Sequence, residues 1–71
     1  MSETRFRLSL PQGDKPFLQK GLAFAHARRW AKEVEAGYTD VVRETREAGE
    51  EPWQAQARWR FFSDGDVREI V

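Results

Sequence analysis

At 71 residues the chain has room for one domain, and a domain of this size buries only about 60% of its unfolded surface, too little for a deep catalytic cleft and its scaffold. It contains no cysteine, which excludes disulfides, thiolate zinc sites and cysteine nucleophiles together, so three Trp and five Phe must supply the core's bulk. Twelve basic side chains balance twelve acidic ones, and that neutrality weighs against bulk nucleic-acid binding, whose affinity comes largely from neutralised phosphates.

Residues 4–10 alternate, with Phe6, Leu8 and Leu10 on one side and Arg5, Arg7 and Ser9 on the other. Period two is the mark of a strand with one buried face. Pro11, Gln12, Gly13 and Asp14 end it, because proline cannot donate to a ladder and Gly-Asp favours a turn. Phe17 and Leu18 follow as an apolar pair, either a short extended piece or a plug over one end of the core. From about residue 20 to 36 the period becomes helical. Ala23, Phe24, Ala27, Trp30, Ala31 and Val34 share one stripe, and His26, Arg29, Lys32 and Glu33 lie opposite. Gly37 suits the left-handed residue that ends a helix.

Residues 38–46 fit two templates. As a helix they put Tyr38, Val41, Val42 and Thr45 on one face; as a strand they split the valines. Pairing with the next segment favours the strand. A register that sets Thr45 against Ala55 also sets Val41 against Trp59, Asp40 against Arg60 and Tyr38 against Phe62. Opposite charges and aromatic pairs are the contacts that stabilise neighbouring strands. Its weak point is Arg43 opposite Ala57.

Residues 53–71 read as a hairpin. Trp53, Ala55, Ala57, Trp59 and Phe61 fall on the inner face, and Gln54, Gln56, Arg58, Arg60 and Phe62 on the outer. A two-residue Asp64-Gly65 loop of type I′ matches Phe62 with Val67, Arg60 with Glu69 and Trp59 with Ile70. A three-residue loop opposes Arg60 to Arg68 and Trp59 to Glu69, which is worse on both faces.

The expected architecture is a single α+β domain over residues 1–71, β-α-β-β-β, with strands at about 4–10, 38–46, 53–62 and 67–71 and a helix at about 20–36. Four strands form a mixed, mostly antiparallel sheet with the helix packed on one face, the first strand lying parallel to its neighbour. The expected core is Phe6, Leu8, Leu10, Phe24, Ala27, Trp30, Ala31, Val34, Val41, Ala55, Ala57, Trp59, Phe61 and Ile70.

No catalytic, cofactor or metal set emerges. His26 is the only histidine and falls on the expected solvent side of the helix, without the carboxylate and nucleophile that a catalytic histidine needs. Glu47, Glu50 and Glu51 lack the spacing of a calcium loop, and neither Gly13 nor Gly21 belongs to a phosphate-cradling motif. The chain reads as a non-enzyme without cofactor. No run approaches the roughly 20 apolar residues of a membrane span, and residues 1–10 lack the pattern of a signal peptide, so a cytoplasmic protein with no membrane partner is expected.

Two surfaces are left to carry a function. The outer sheet face gathers Arg5, Arg7, Tyr38, Arg58, Arg60 and Phe62, with Asp40, Glu44, Arg46, Gln54, Gln56, Glu69 and Val71 beside them. Arg and Tyr are residues that anchor protein interfaces. The same mixture resembles the sheets on which single-stranded RNA bases stack, although no RNP-like motif occurs and the carboxylates stand ready to neutralise the arginines. The helix presents Arg28, Arg29 and Lys32. Charge is also divided along the chain, about +5 over residues 1–32 and about −5 over residues 33–71, which either interleaves on folding or sets a basic helix face opposite an acidic sheet edge. Strand one has no Pro or Lys to blunt it and reads as an edge open to a second copy, giving a homodimer.

In format alone, a helix-on-sheet chain with no catalytic set resembles the small inhibitors and regulators encoded by phages and mobile elements, a likeness that fixes no target. The expectation is a non-enzymatic protein–protein interaction module that binds or occludes a partner. The alternative is a nucleic-acid-binding domain using Arg5, Arg7, Arg58, Arg60 and Phe62.

Overall fold

The computed structural model of the chain describes residues 2–47 and 49–70. Its elements are β1 (Glu3–Ser9), β2 (Lys15–Phe17), α1 (Lys20–Ala31), β3 (Tyr38–Arg46), β4 (Gln54–Phe62) and β5 (Val67–Ile70). The strands make one sheet in the order β2-β1-β3-β4-β5, and α1 packs across one face. The α+β class is as expected, and residues 38–46 are a strand. Val71, expected to end the last strand, lies outside the described residues.

Two features of the topology correct the expectation. The apolar pair after the first turn belongs in part to an additional strand, β2, which ends at Phe17. Every neighbouring pair is also antiparallel, so the sheet is not mixed. The cause of both is the turn after β1, where the Gly13 N–H donates to the Leu10 carbonyl at 3.1 Å. It folds the chain back before the helix starts, so α1 leaves from β2 and not from β1. β2 and β3 therefore run in the same direction with β1 between them. β1 is an inner strand and not the sheet's edge: β2 covers it from Phe6 to Leu8, so only Glu3, Thr4 and Arg5 of the expected edge are left without a neighbour on that side.

The helix is shorter than its periodicity suggests. It ends at Ala31, and the following residues turn more tightly, with the Lys32 N–H donating to Arg29 and the Gly37 N–H to Val34. Gly37, at φ +80°, closes that turn and delivers the chain into β3. Ala23, Ala27 and Ala31 are fully buried, so the helix meets the sheet through its smallest side chains. The Thr39 hydroxyl on β3 reaches it and donates to the Ala27 carbonyl at 3.2 Å. Around this contact lie Leu8, Leu10, Val41 and Phe61, flanked by Phe6, Phe17, Phe24, Trp30, Trp59 and Val67. Phe24 packs edge-on against both Trp59 and Phe61. His26 is not on the solvent side: it is half-buried, with its ring stacked on Phe17 at 4.9 Å.

The β3–β4 register is the expected one from Tyr38 opposite Phe62 to Arg43 opposite Ala57. It then slips, Glu44 facing Ala55 and Thr45 facing Gln54, which leaves Gln56 as the extra residue of a β-bulge. Side chains alternate with period two, so one inserted residue exchanges the faces of everything before it. Ala55 and Trp53 accordingly leave the inner face, Gln54 takes the side of Thr45, and the Gln56 amide donates to the Thr45 hydroxyl at 2.9 Å.

The last hairpin has the three-residue loop. Phe61 faces Val67, Arg60 faces Arg68, Trp59 faces Glu69 and Arg58 faces Ile70. A type I′ loop needs positive φ at both of its residues, which costs Asp64 its Cβ clearance. The observed loop places only Gly65 there, at φ +94°. The Gly65 N–H donates to the Phe62 carbonyl, and the Asp64 carboxylate accepts the Asp66 N–H at 2.9 Å. Val67 thereby takes the core position expected of Ile70, and Glu69 exchanges faces with Arg68.

Candidate functional site: an arginine layer on the open sheet face

α1 covers the inner face of the sheet; among the described residues no element covers the outer one. Down the middle of that face runs β3, with Asp40, Val42 and Glu44 all buried. Val42 is 1% exposed although nothing is layered over it. Arg7 on β1 and Arg58 on β4 stand directly opposite it. Arginines lay their aliphatic stems along apolar surface and keep the guanidinium in water, and here they roof the central strand.

Two carboxylates organise this layer. Glu44 accepts from Arg5 Nε at 2.9 Å and from Arg7 Nε at 3.1 Å, both on the same oxygen. Asp40 accepts two bonds from Arg60, Nε to Oδ1 at 2.9 Å and Nη2 to Oδ2 at 3.1 Å, with Arg58 Nη1 at 3.6 Å. The perimeter repeats the theme, with Arg7 bonded to Asp14, Arg46 to Glu3 and Arg68 to Asp66. Burial acts to lower the pKa of Arg7, but its bonds to Glu44 and Asp14 outweigh burial and hold the guanidinium above its ordinary value. Arg60 is raised by its hydrogen bonds to Asp40, against a smaller opposing effect of burial. The pairs of Glu44 with Arg5 and Arg7 and of Arg46 with Glu3 join the basic and acidic halves of the chain. Those of Asp40, Asp14 and Asp66 each lie within one half, so the halves interleave only where β1 meets β3.

The aromatics sit among the guanidinia. Arg60 lies 4.2 Å from the Tyr38 ring centre and Arg68 lies 5.9 Å from that of Phe62. Arg5 and Arg46 lie 4.3 Å and 4.2 Å from the ring of Trp53. In each, the cation is attracted by the negative face of the ring.

All six residues expected on the sheet face, Arg5, Arg7, Tyr38, Arg58, Arg60 and Phe62, lie on it. Trp53, Arg68 and Ile70 join them unforeseen, because the bulge and the loop length change their faces. The helix surface is divided. Arg28 and Lys32 look toward the β4–β5 turn and Asp66, while Arg29 lies on the side of Lys15, His26 and Glu33.

Among the described residues no cluster of three or more His, Asp or Glu stands where it could hold a metal ion, and no helix is long and apolar enough to cross a membrane. The fold and this face define a class: a small α+β domain with one helix-covered sheet face and one open, arginine-rich face. No family model, curated protein or solved structure matches the chain.

Proposed function

We propose that this protein is a small, non-enzymatic interaction module of the cytoplasm that binds another protein through the open sheet face and regulates or inhibits it by occlusion. The observation that carries this reading is the clamping of the arginine layer by Asp40 and Glu44. Side chains held in one geometry lose little rotamer freedom on binding, and Arg and Tyr are residues from which interface anchors are built.

The test is recovery of a partner from host lysate. Arg58→Glu and Tyr38→Ala change two exposed residues of the face and should leave the fold intact while abolishing co-purification of the partner held by the unaltered protein. Undiminished recovery with both substitutions removes the face from consideration.

Nucleic acid is the second reading, favoured by the placement of Trp53, Tyr38 and Phe62 beside guanidinia. Against it, a phosphate must compete with carboxylates already in place. Titration with labelled single- and double-stranded oligonucleotides at two salt concentrations separates the two, since phosphate contacts weaken steeply with salt.

A further inference from the structure

β2 pairs with β1 only at Phe6, Arg7 and Leu8, so Glu3, Thr4 and Arg5 extend beyond its end. The alternation of hydrogen bonds in an antiparallel ladder decides which backbone groups this leaves open. The Ser63 N–H donates to the Gly37 carbonyl at 2.9 Å, so odd-numbered residues of β3 bond toward β4 and even-numbered ones toward β1. Glu44 faces Arg5, hence odd residues of β1 bond to β3 and even ones toward β2. Phe6 and Leu8 thus bond to Phe17 and Lys15, and Pro16, which has no N–H, points outward. Thr4 is the next even residue. It is exposed, and among the described residues no strand continues β2 beside it.

A depression of about 470 Å³ opens at this place, and its two walls differ in chemistry. On the outer-face side stand Arg5, Arg46 and Trp53. Each of these arginines makes its side-chain hydrogen bond through Nε alone, Arg5 to Glu44 and Arg46 to Glu3, so their Nη groups remain as donors. On the helix side stands Phe17, opposite Phe6, and Leu18 just after it completes the apolar lining. Leu18 is 85% exposed, more than any other large apolar side chain described, and nothing in the fold accounts for it.

A strand laid beside Thr4 would present alternate side chains to these two walls. We propose that the notch takes an extended peptide of a partner protein as an added strand, one that alternates apolar and acidic residues. Its apolar side chains lie against Phe17 and Leu18, its carboxylates accept from Arg5 and Arg46, and its backbone pairs with Thr4. This is strand addition, in which main-chain bonds give affinity and side-chain pockets give specificity. The proposal rests on the interaction-module reading but uses other residues than those that test it.

The probe is a blocked hexapeptide alternating leucine with aspartate, titrated into labelled protein and followed by amide NMR, with a leucine–lysine peptide as control. Binding should shift the Thr4 and Leu18 amides and the Trp53 indole N–H. Arg46→Glu and, separately, Leu18→Ser should each weaken it by about ten-fold or more. Tyr38→Ala should leave it unchanged. Absence of shifts with the acidic peptide, equal response to the basic one, or shifts mapping elsewhere would overturn the notch. Leu18→Ser keeps the test independent of any folding defect in Arg46→Glu, because Leu18 is almost wholly in solvent. If Arg58→Glu abolishes partner recovery while the peptide fails to bind, the notch is wrong and the face stands; the converse result identifies the notch as the site.

Discussion

Arg60 grips Asp40 with two hydrogen bonds, on a sheet face that no second layer of the described residues shields from water. Asp40 is nonetheless only 9% exposed, because the guanidinia of Arg58 and Arg60 lie about it. The outer face is therefore finished by side chains in the way that the inner face is finished by a helix. Its surface is preorganised, and the same carboxylates that order it also limit how readily a phosphate displaces them.

Glu44 should matter to folding more than Asp40. Arg5 and Arg7 converge on one Glu44 oxygen and are each only about a quarter exposed, whereas Arg58 beside Asp40 is half exposed. Hydrogen bonds to charged groups contribute about 1.5–3 kcal/mol, and a buried cation left without its partner costs more than the bond alone. Glu44→Gln is expected to lower stability by about 2 kcal/mol, or about 10 °C in Tm for a domain of this size, and Asp40→Asn by less. Thermal melts followed by circular dichroism decide it. Equal falls would show that the two clamps are equivalent.

The bulge at Gln56 decides which face Trp53 occupies. Gln56 is the residue with no partner on β3, so deleting it keeps Glu44 opposite Ala55 and Thr45 opposite Gln54 and restores unbroken alternation with Trp53 still on the outer face. Nuclear Overhauser effects between the indole and the side chains of Arg5 and Arg46 should therefore persist in the deletion variant. Their disappearance would mean that the strand needs the bulge itself, and not the register alone, to hold Trp53 there.

Much of this was legible in the chain, and the failures share a cause. Alternation in residues 4–10, the helical stripe, and the pairing of Asp40 with Arg60 and Tyr38 with Phe62 all follow from local period and cross-strand chemistry. What was lost is register beyond one irregularity. A single bulge moved Trp53, and a loop one residue longer exchanged Val67 with Ile70. The Arg60–Arg68 juxtaposition counted against that longer loop, yet Asp40 and Asp66 neutralise the two arginines separately. An extended piece at Phe17 is one of two readings the sequence allows, but its pairing with β1 is not legible, because three residues containing a proline give no periodicity to read. Arg5, Arg7, Tyr38, Arg58, Arg60 and Phe62 lie on the expected face, since charged and aromatic residues on an alternating strand announce their side. Trp53 was missed although its bulk was evident, because nothing local signals that Gln56 is extra.

Gly65 carries the β4–β5 turn at φ +94°, with no atom near enough to obstruct a Cβ. Substitution therefore tests backbone conformation alone. Gly65→Ala should cost about 1–2 kcal/mol, Gly65→Asn less, and Gly65→Val most, because left-handed conformations penalise Cβ and branched residues above all. Urea midpoints for the three variants should fall in that order. A midpoint for Gly65→Val equal to the parent's would show that the loop had changed type.

The helix–sheet contact has no spare room. Ala27 is fully buried and its carbonyl accepts from Thr39, so the helix axis is held close above β3. Overpacking a filled core costs about 1–3 kcal/mol even where neighbours can shift. Ala27→Leu should reach the upper end of that range and break the Thr39 bond, and Thr39→Val should cost about 1 kcal/mol by leaving the site without its donor. If the double variant is no less stable than Ala27→Leu alone, the two effects share one origin, which is the distance between helix and sheet.

The arginine layer should respond to salt and not to mild alkali. A guanidinium whose folded pKa is raised contributes stability that is fully present below its unfolded pKa and is lost only as pH rises through the folded one. For Arg7 and Arg60 both values lie far into the alkaline range, so between about pH 7 and about pH 9 their contribution is constant. Raising salt from roughly 0.1 M to roughly 1 M shortens the screening length from about 10 Å to about 3 Å and weakens the exposed pairs, Arg68 with Asp66 first. The better-buried Glu44 clamp should be affected least. Urea midpoints at these two pH values should coincide, and the salt-induced fall should shrink in Arg68→Gln while persisting in Glu44→Gln.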